Sequence, residues 1–338
     1  MKAVVIEKPN KLHLKEVEKP VLKQGFVLIK VKAAAICATD LEVFSGNIPA
    51  KYPNIPGHEW SGIVEAVEDE SDNNWVGKRV VGSNDICCLK CSACRNGEWR
   101  NCSEFREIGF WEDGGYAEYM QVPTYALYEL PDNVSFIQGA LIEPMGVAVG
   151  TLEKANAKAG DTLLIMGAGS IGLNMLAVAK AMGLSKIVVA AQTSGRLGIA
   201  KEMGAYEVVA TGSQDLEAKM AEIHPNGTDI IIEATGIEEC IQKSLRIAKK
   251  GGCIALAGYG RGKMVTLKID DIHIKNLRVV GAGNNWNMVS KCLKLLEAGV
   301  VNTEHMATDL ITLADYEKGI ELAEKRPNGF LKAVFVYE

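Results

Sequence analysis

Between Asp161 and Gly183 the chain reads DTLLIMGAGSIGLNMLAVAKAMG, which leaves few folds open to it. Leu163 to Met166 form a short unbroken apolar run, the mark of a parallel strand buried on both faces. Gly167-Ala168-Gly169-Ser170-Ile171-Gly172 follows at once. Leu173, Leu176, Ala177 and Lys180 then recur at helical spacing, and Gly183 makes a helix stop. Strand, G-x-G-x-x-G turn and helix in that order form the fingerprint of a dinucleotide site. Gly167 permits the tight turn, Gly169 lets backbone N–H groups near a pyrophosphate, and Gly172 lets helix and strand pack closely. The helix start presents unpaired N–H donors to phosphate, at Ser170 and Ile171 first.

At 338 residues the chain calls for two domains. It is 48% hydrophobic and 23% charged, an ordinary balance for a globular protein, and its net charge of −5 offers no basic field to nucleic acid or to an anionic membrane. Met1 to Ile6 is too short for a signal peptide, and no apolar run reaches a membrane-spanning length. The expected location is the cytoplasm, where nine cysteines argue for metal binding or catalysis before disulfides.

Taken in order, residues 1 to about 35 suggest strands at Ala3 to Ile6 and Val27 to Val31. Short strands follow at Gly62 to Val67 and Gly77 to Val81, and Tyr116 to Val122 closes a region of small-barrel texture. Asp132 to Gly150 shifts toward helix. From Asp161 strands at Ile187 to Ala191, Val208 to Ala210, Asp229 to Glu233, Cys253 to Ala257 and Leu277 to Val280 alternate with helices such as Arg196 to Met203 and Glu238 to Lys249. This alternation predicts an α/β doubly wound parallel sheet. A helix over Met288 to Ala298 and a strand over Lys332 to Tyr337 end the chain.

Cys88, Cys91, Cys94 and Cys102 stand at C-x2-C-x2-C-x7-C spacing. Four thiolates this close can enclose one tetrahedral Zn²⁺ with no open position, which is a structural site. Lys90, Arg95, Arg100 and Arg106 would suit a nucleic-acid zinc knuckle, but the acidic chain and the nucleotide sheet oppose that. Cys87 has no place in the tetrahedron. A second metal site needs scattered residues: Cys37 as thiolate, His58 as neutral nitrogen, and Glu59 or Glu143 as oxygen. Three protein ligands and one exchangeable position distinguish a catalytic zinc from a structural one.

These residues, with Cys37-Ala38-Thr39-Asp40, Gly57-His58-Glu59, Gly114 to Tyr119, Leu130 to Val134 and Ala140 to Pro144, resemble the zinc-dependent medium-chain dehydrogenases over essentially the whole chain. Glu143-Pro144 is most similar to the sorbitol (polyol) and threonine dehydrogenase branch. The resemblance implies a GroES-like β-barrel catalytic domain over 1–146 with its zinc lobe at 87–102. It further implies a Rossmann domain over 147–283, a return to the catalytic domain over 284–338, and a homo-oligomer, dimer or tetramer. It also implies that Cys37, His58, Glu59 and Glu143 serve a catalytic zinc that binds and acidifies a substrate hydroxyl. Thr39 would relay the proton, Asp40 would fix the His58 tautomer, and NAD or NADP would take the hydride.

Two departures stand out. Many relatives carry histidine five residues after the metal cysteine, and here it is Glu42. Where NAD-specific relatives place a ribose-binding aspartate, this chain has Ala191, followed by Gln192-Thr193-Ser194-Gly195-Arg196. Without the carboxylate, Gln192, Thr193, Ser194 and Arg196 can meet a 2′-phosphate, which favours NADP(H). Thr235, after the strand ending at Glu233, completes the cofactor set. A thiolate flanked by carboxylates suits a small polyhydroxylated substrate, with Asn284, Asn285, Trp286, Phe110 and Trp111 as candidates to face it. The expected activity is reversible oxidation of a secondary alcohol of a sugar alcohol or its phosphate. The alternatives are a threonine or amino-alcohol dehydrogenase, a zinc-independent reductase of the same fold, and a non-catalytic cofactor-sensing zinc protein.

Overall fold

The computed structural model describes residues 1–192, 195–283 and 288–338. Two compact units divide the chain, Met1–Glu143 with Asn285–Glu338, and Pro144–Asn284. Among the described residues no helix is long and apolar enough to cross a membrane.

The first unit is built on a seven-stranded sheet in the order Ala307–Ile311, Lys332–Val336, Phe26–Ala35, Glu59–Val67, Arg79–Gly82, Leu127–Glu129, with Tyr119–Pro123 pairing to Phe26–Ala35 off that path. Phe26–Ala35 is the hub, and its Val27, Ile29, Val31, Ala33, Ala34 and Ala35 are fully buried. Its register with Glu59–Val67 shifts twice, between Leu28 and Ile29 and between Val31 and Ala33. Such irregularities bend a strand and let a sheet curl on itself. At the hub's end Ala35 pairs with Glu59 on one side and with Val334 on the other. Three remote pieces of chain therefore meet where Cys37 begins, and the candidate site lies there.

The second unit is a six-stranded parallel sheet in the order Glu207–Ala210, Ser185–Ala191, Thr162–Met166, Thr228–Glu233, Ala248–Leu256, Arg278–Gly281. Numbered along the chain this is 3-2-1-4-5-6, the doubly wound dinucleotide-binding order. Leu163, Leu164 and Ile165 have no exposed surface, because helices cover both faces of the central strand.

Several elements differ from the sequence expectation. The hairpin partner Lys11–Glu16 escaped it, since KLHLKE alternates like an exposed strand but carries three basic side chains. The helix read as Glu238 to Lys249 ends at Ile247, and the strand read as Cys253 to Ala257 starts at Ala248. Pairing of Ala248 with Thr228 claims the stretch for the sheet, with a register break before Cys253. Asp132 to Gly150 holds two helices, Phe136–Ala140 and Ile142–Lys154. The first is closed by a Ser135/Gln138 capping box. The strand expected from Tyr116 starts at Tyr119. Leu216–Ile223, Ile269–Lys275 and Tyr316–Lys325 are helices that the sequence reading did not name.

Candidate active site and metal centres

Cys37 caps the helix Ala38–Ser45, whose third residue, Asp40, accepts the Cys37 N–H at 2.8 Å through Oδ2. Asp40 Oδ1 lies 3.0 Å from Nδ1 of His58, and both side chains are buried. With Nδ1–H assigned as donor, the Nε2 lone pair is left for a metal. Burial works against charge on both groups. Their mutual attraction prevails, raising the His58 imidazole well above its ordinary value and lowering the Asp40 carboxyl. One ligand atom each from Cys37, His58 and Glu59 lies within 4.8 Å of the others. Tetrahedral zinc with bonds of about 2.0–2.3 Å needs its ligands about 3.3–3.8 Å apart, so the donor set fits the ion. Thr39 Oγ1 is 3.5 Å from Cys37 Sγ.

Glu143, in the first turn of Ile142–Lys154, is outside that group of three. Its charge is nevertheless felt by Glu59 and Lys332. Phe110 packs its ring 5.5 Å from that of His58 and is buried, whereas Trp111 is 42% exposed. Asn284, Asn285 and Trp286 lie outside the described residues.

Sequence reasoning missed three members of this neighbourhood. Lys332 is 4% exposed and its ammonium contacts both oxygens of the fully buried Glu59. Burial opposes its charge, but the Glu59 carboxylate and the Cys37 thiol raise its pKa above the ordinary lysine value. The available signal was a lone lysine inside the apolar run Phe330 to Val336. Tyr116, fully buried, donates its hydroxyl to Asp40 Oδ2 at 2.5 Å. Glu107 is pushed up to about 7 by burial, with Asp85 and Glu143 adding to the shift against His58 and Arg100.

In the cysteine lobe Cys88, Cys91, Cys94 and Cys102 offer sulfurs within 4.8 Å of one another. Cys88 Sγ stands 3.9 Å from Cys94 Sγ and 3.6 Å from Cys102 Sγ, close to the roughly 3.8 Å edge of a Zn–S4 tetrahedron. Backbone N–H groups of Cys88, Cys91, Cys94 and Glu104 point at these sulfurs at 3.4–3.5 Å, as thiolates require. The N–H of Cys94 brings Cys91 down to about 6. Cys87 stays outside, 3.5 Å from the Trp99 carbonyl, its thiol pushed up to about 12 by burial. The nearby cations are engaged by carboxylates: Lys90 by Glu104, Arg100 by Asp85 and Glu107, Arg106 by Glu112.

In the second unit Gly167 takes φ +115°, and a Cβ on Gly172 would sit 1.9 Å from the Gly167 carbonyl oxygen. Both positions therefore exclude a side chain. A Cβ on Gly169 would meet nothing within 4 Å, so the turn is open over the start of Ser170–Ala181. Ser170 Oγ is buried there without a hydrogen-bond partner, an orphan that a bound phosphate would satisfy. Ile171 follows in the same first turn. Ala191 ends its strand opposite Ala210. Gln192 follows, Arg196 lies in the helix Gly195–Glu202, and Thr193 and Ser194 lie outside the described residues. Thr235 donates its N–H (2.8 Å) and its hydroxyl to the buried Glu233, which shapes the turn after that strand.

The Glu59–Lys332 pair generates a stability prediction. Lys332→Met strands a buried carboxylate, and urea unfolding is expected to show a loss of about 3–5 kcal/mol. Adding Glu59→Gln should restore most of it. A single variant within about 1 kcal/mol of wild type would show that the pair does not matter to stability.

Comparison with known proteins gives the family. Residues 23–132 match the alcohol dehydrogenase GroES-like domain and residues 170–298 match the zinc-binding dehydrogenase family. Sorbitol dehydrogenase of Bacillus subtilis is 31% identical over 343 residues, covering 100% of this chain and 97% of its own. L-threonine 3-dehydrogenase of Bacillus velezensis is 32% identical over 336 residues, covering 96% of each. The structure of the alcohol dehydrogenase RspB from E. coli CFT073 with the cofactor NADH superposes with a TM-score of 0.94 at 28% identity, over 100% of this chain and 99% of that one. A GroES-like domain and a doubly wound dinucleotide sheet on one chain, with full-length likeness to named dehydrogenases, mean that this protein belongs to the zinc-dependent medium-chain dehydrogenases.

Proposed function

We propose that the protein catalyses the reversible oxidation of a secondary alcohol on a polyol to a ketone, with zinc at Cys37, His58 and Glu59 and with NADP(H) preferred over NAD(H). The carrying observation is the convergence of a thiol, an imidazole and a carboxylate within 4.8 Å, two of them buried. When bound, zinc supplies a Lewis acid to the substrate hydroxyl and the nicotinamide accepts hydride. The residues around it do the rest. Asp40 orients His58, and Lys332 holds Glu59 beside the donor set. Thr39 Oγ1, beside the Cys37 sulfur, takes the hydroxyl proton. Glu42, whose carboxylate accepts Asn47 Nδ2 at 2.8 Å, takes the sequence position where many relatives carry imidazole, so the exit of that relay differs here. Glu143 is the fourth candidate ligand and adds negative charge beside Glu59. Such polar, anionic surroundings favour a substrate with several hydroxyls. The four-cysteine lobe is read as structural zinc, the first unit as the catalytic domain and the second as the dinucleotide domain.

For the cofactor, Ala191 supports NADP(H): no carboxylate at the strand end repels a 2′-phosphate, and Arg196 follows in the next helix. For assembly, Arg278–Gly281 is an edge strand of the described sheet with Val279 38% exposed, and Ile269 and Ile274 of the preceding helix are exposed as well. An apolar edge of this kind needs a cover, and a second copy meeting it about a two-fold axis supplies one. None of the nine cysteines is joined in a disulfide, which suits a reducing cytoplasm.

Wild type should carry two zincs per chain by elemental analysis; one would favour a non-catalytic binder. A panel of polyols, polyol phosphates and threonine with either cofactor should give the highest kcat/KM on a polyol, and a threonine optimum would select the amino-alcohol reading instead. Cys37→Ser or His58→Ala should cut turnover by about a thousandfold or more, with dinucleotide affinity retained. Retained turnover would remove the zinc assignment. Ala191→Asp should move the NADP⁺/NAD⁺ ratio of kcat/KM toward NAD⁺ by about tenfold or more, and an unchanged ratio would overturn the NADP(H) preference. In light scattering, Val279→Lys should halve the mass of the assembly or reduce it to a monomer; an unaltered mass would place the interface elsewhere.

A further inference from the structure

We propose that Tyr116 is a positioning residue for the catalytic metal site, acting by locking the Asp40 carboxylate between the two ligands that carboxylate organises. The inference rests on the reading above that Cys37, His58 and Glu59 hold zinc.

Asp40 is 2% exposed and takes three donors. Its Oδ1 faces His58 Nδ1 at 3.0 Å, while Oδ2 accepts the Cys37 N–H at 2.8 Å and the Tyr116 hydroxyl at 2.5 Å. The carboxylate thus ties one ligand's ring to another ligand's backbone, and the phenol is the only donor of the three that comes from neither ligand. Removing it would leave Oδ2 of a buried anion with the Cys37 N–H as its one remaining donor, loosening the carboxylate that orients the His58 ring.

Tyr116 also touches the chain on which His58 is mounted. Its backbone N–H donates to the Pro56 carbonyl at 3.0 Å. Its ring fills the space beside Gly57, where a Cβ would lie 2.4 Å from the ring edge and where φ is +101°. Phe335, on the last strand, meets the ring edge-on at 4.9 Å. Phenylalanine would reproduce every one of these ring contacts. What it would lack is the oxygen, and at hydrogen-bond length of 2.5 Å that oxygen is committed to Asp40, with the Ala35 carbonyl a more distant 3.3 Å away. The hydroxyl therefore serves the metal site and the ring serves the core, two roles that substitution can separate.

Tyr116→Phe in the zinc-loaded, full-length enzyme is the test. Zinc release to a chelator should show two phases in wild type, and the variant should accelerate one of them by about 10- to 100-fold while the four-cysteine phase is unmoved. With cobalt in the catalytic site, the visible absorption bands of the variant should differ from wild type, since the carboxylate that orients the His58 ring has lost one of its three donors. Phe335→Leu is the control: it trims the ring's packing partner and keeps the hydroxyl, so the melting temperature should fall with zinc release unchanged within about twofold. A Tyr116→Phe enzyme that releases zinc and absorbs as wild type does would overturn the proposal, as would equal acceleration in Phe335→Leu. Wild type releasing a single zinc from the four-cysteine lobe would instead overturn the underlying zinc reading.

Discussion

Placing four ionisable side chains inside an apolar barrel is tolerable only if each is paired, because an uncompensated buried ion costs several kcal/mol. Asp40, His58, Glu59 and Lys332 are all 5% exposed or less. Asp40 meets His58 and Glu59 meets Lys332, and each pair joins segments that are distant in sequence. The pairing follows from strand register. Ala35 lies opposite Glu59 and opposite Val334, and the Ile36 N–H continues the ladder to the Ala333 carbonyl at 2.9 Å. A slip of one residue in either ladder would turn every side chain to the other face of the sheet. Ligands and counter-ions would then separate together.

The second unit meets its requirement by local means. No charged side chain enters the central strand of its sheet, and a short glycine turn leaves open space at Gly169 and a buried, unpartnered hydroxyl at Ser170. The neighbouring strand ends at Ala191, with no carboxylate there. The cluster of Cys37, His58 and Glu59 is assembled by tertiary pairing, whereas the glycine turn is written in six consecutive residues.

That contrast explains how much was legible beforehand. The cysteine lobe and the glycine turn were visible because spacing within one short segment carries the chemistry. Cys37, His58 and Glu59 could be named from their motifs, and their convergence required coordinates. Lys332 could not be named, since its partner is 273 residues away and a lysine in a strand is ordinarily a solvated one. Tyr116 was read as part of a strand, whereas its side chain reaches Asp40 from a segment just before the strand begins. The end of the helix at Ile247 was misjudged because Lys249-Lys250-Gly251-Gly252 has no strong local preference. Pairing with Thr228 decided it.

Charged side chains also run between the cysteine lobe and the Cys37, His58 and Glu59 cluster. Asp85 and Glu107 pair directly across a short antiparallel ladder, Asp85–Ile86 against Arg106–Glu107, where two carboxylates would repel. Arg100 reaches both, at 3.5 and 3.6 Å, from a turn that ends at Cys102, one of the four lobe cysteines. Glu107 in turn feels His58 and Glu143, and Phe110, three residues on, packs against the His58 ring. The short turn that carries Arg100 therefore places the cation for this carboxylate pair next to a lobe cysteine in sequence. Burial already raises both carboxyls, and Arg100 is the charge that opposes that rise at each of them.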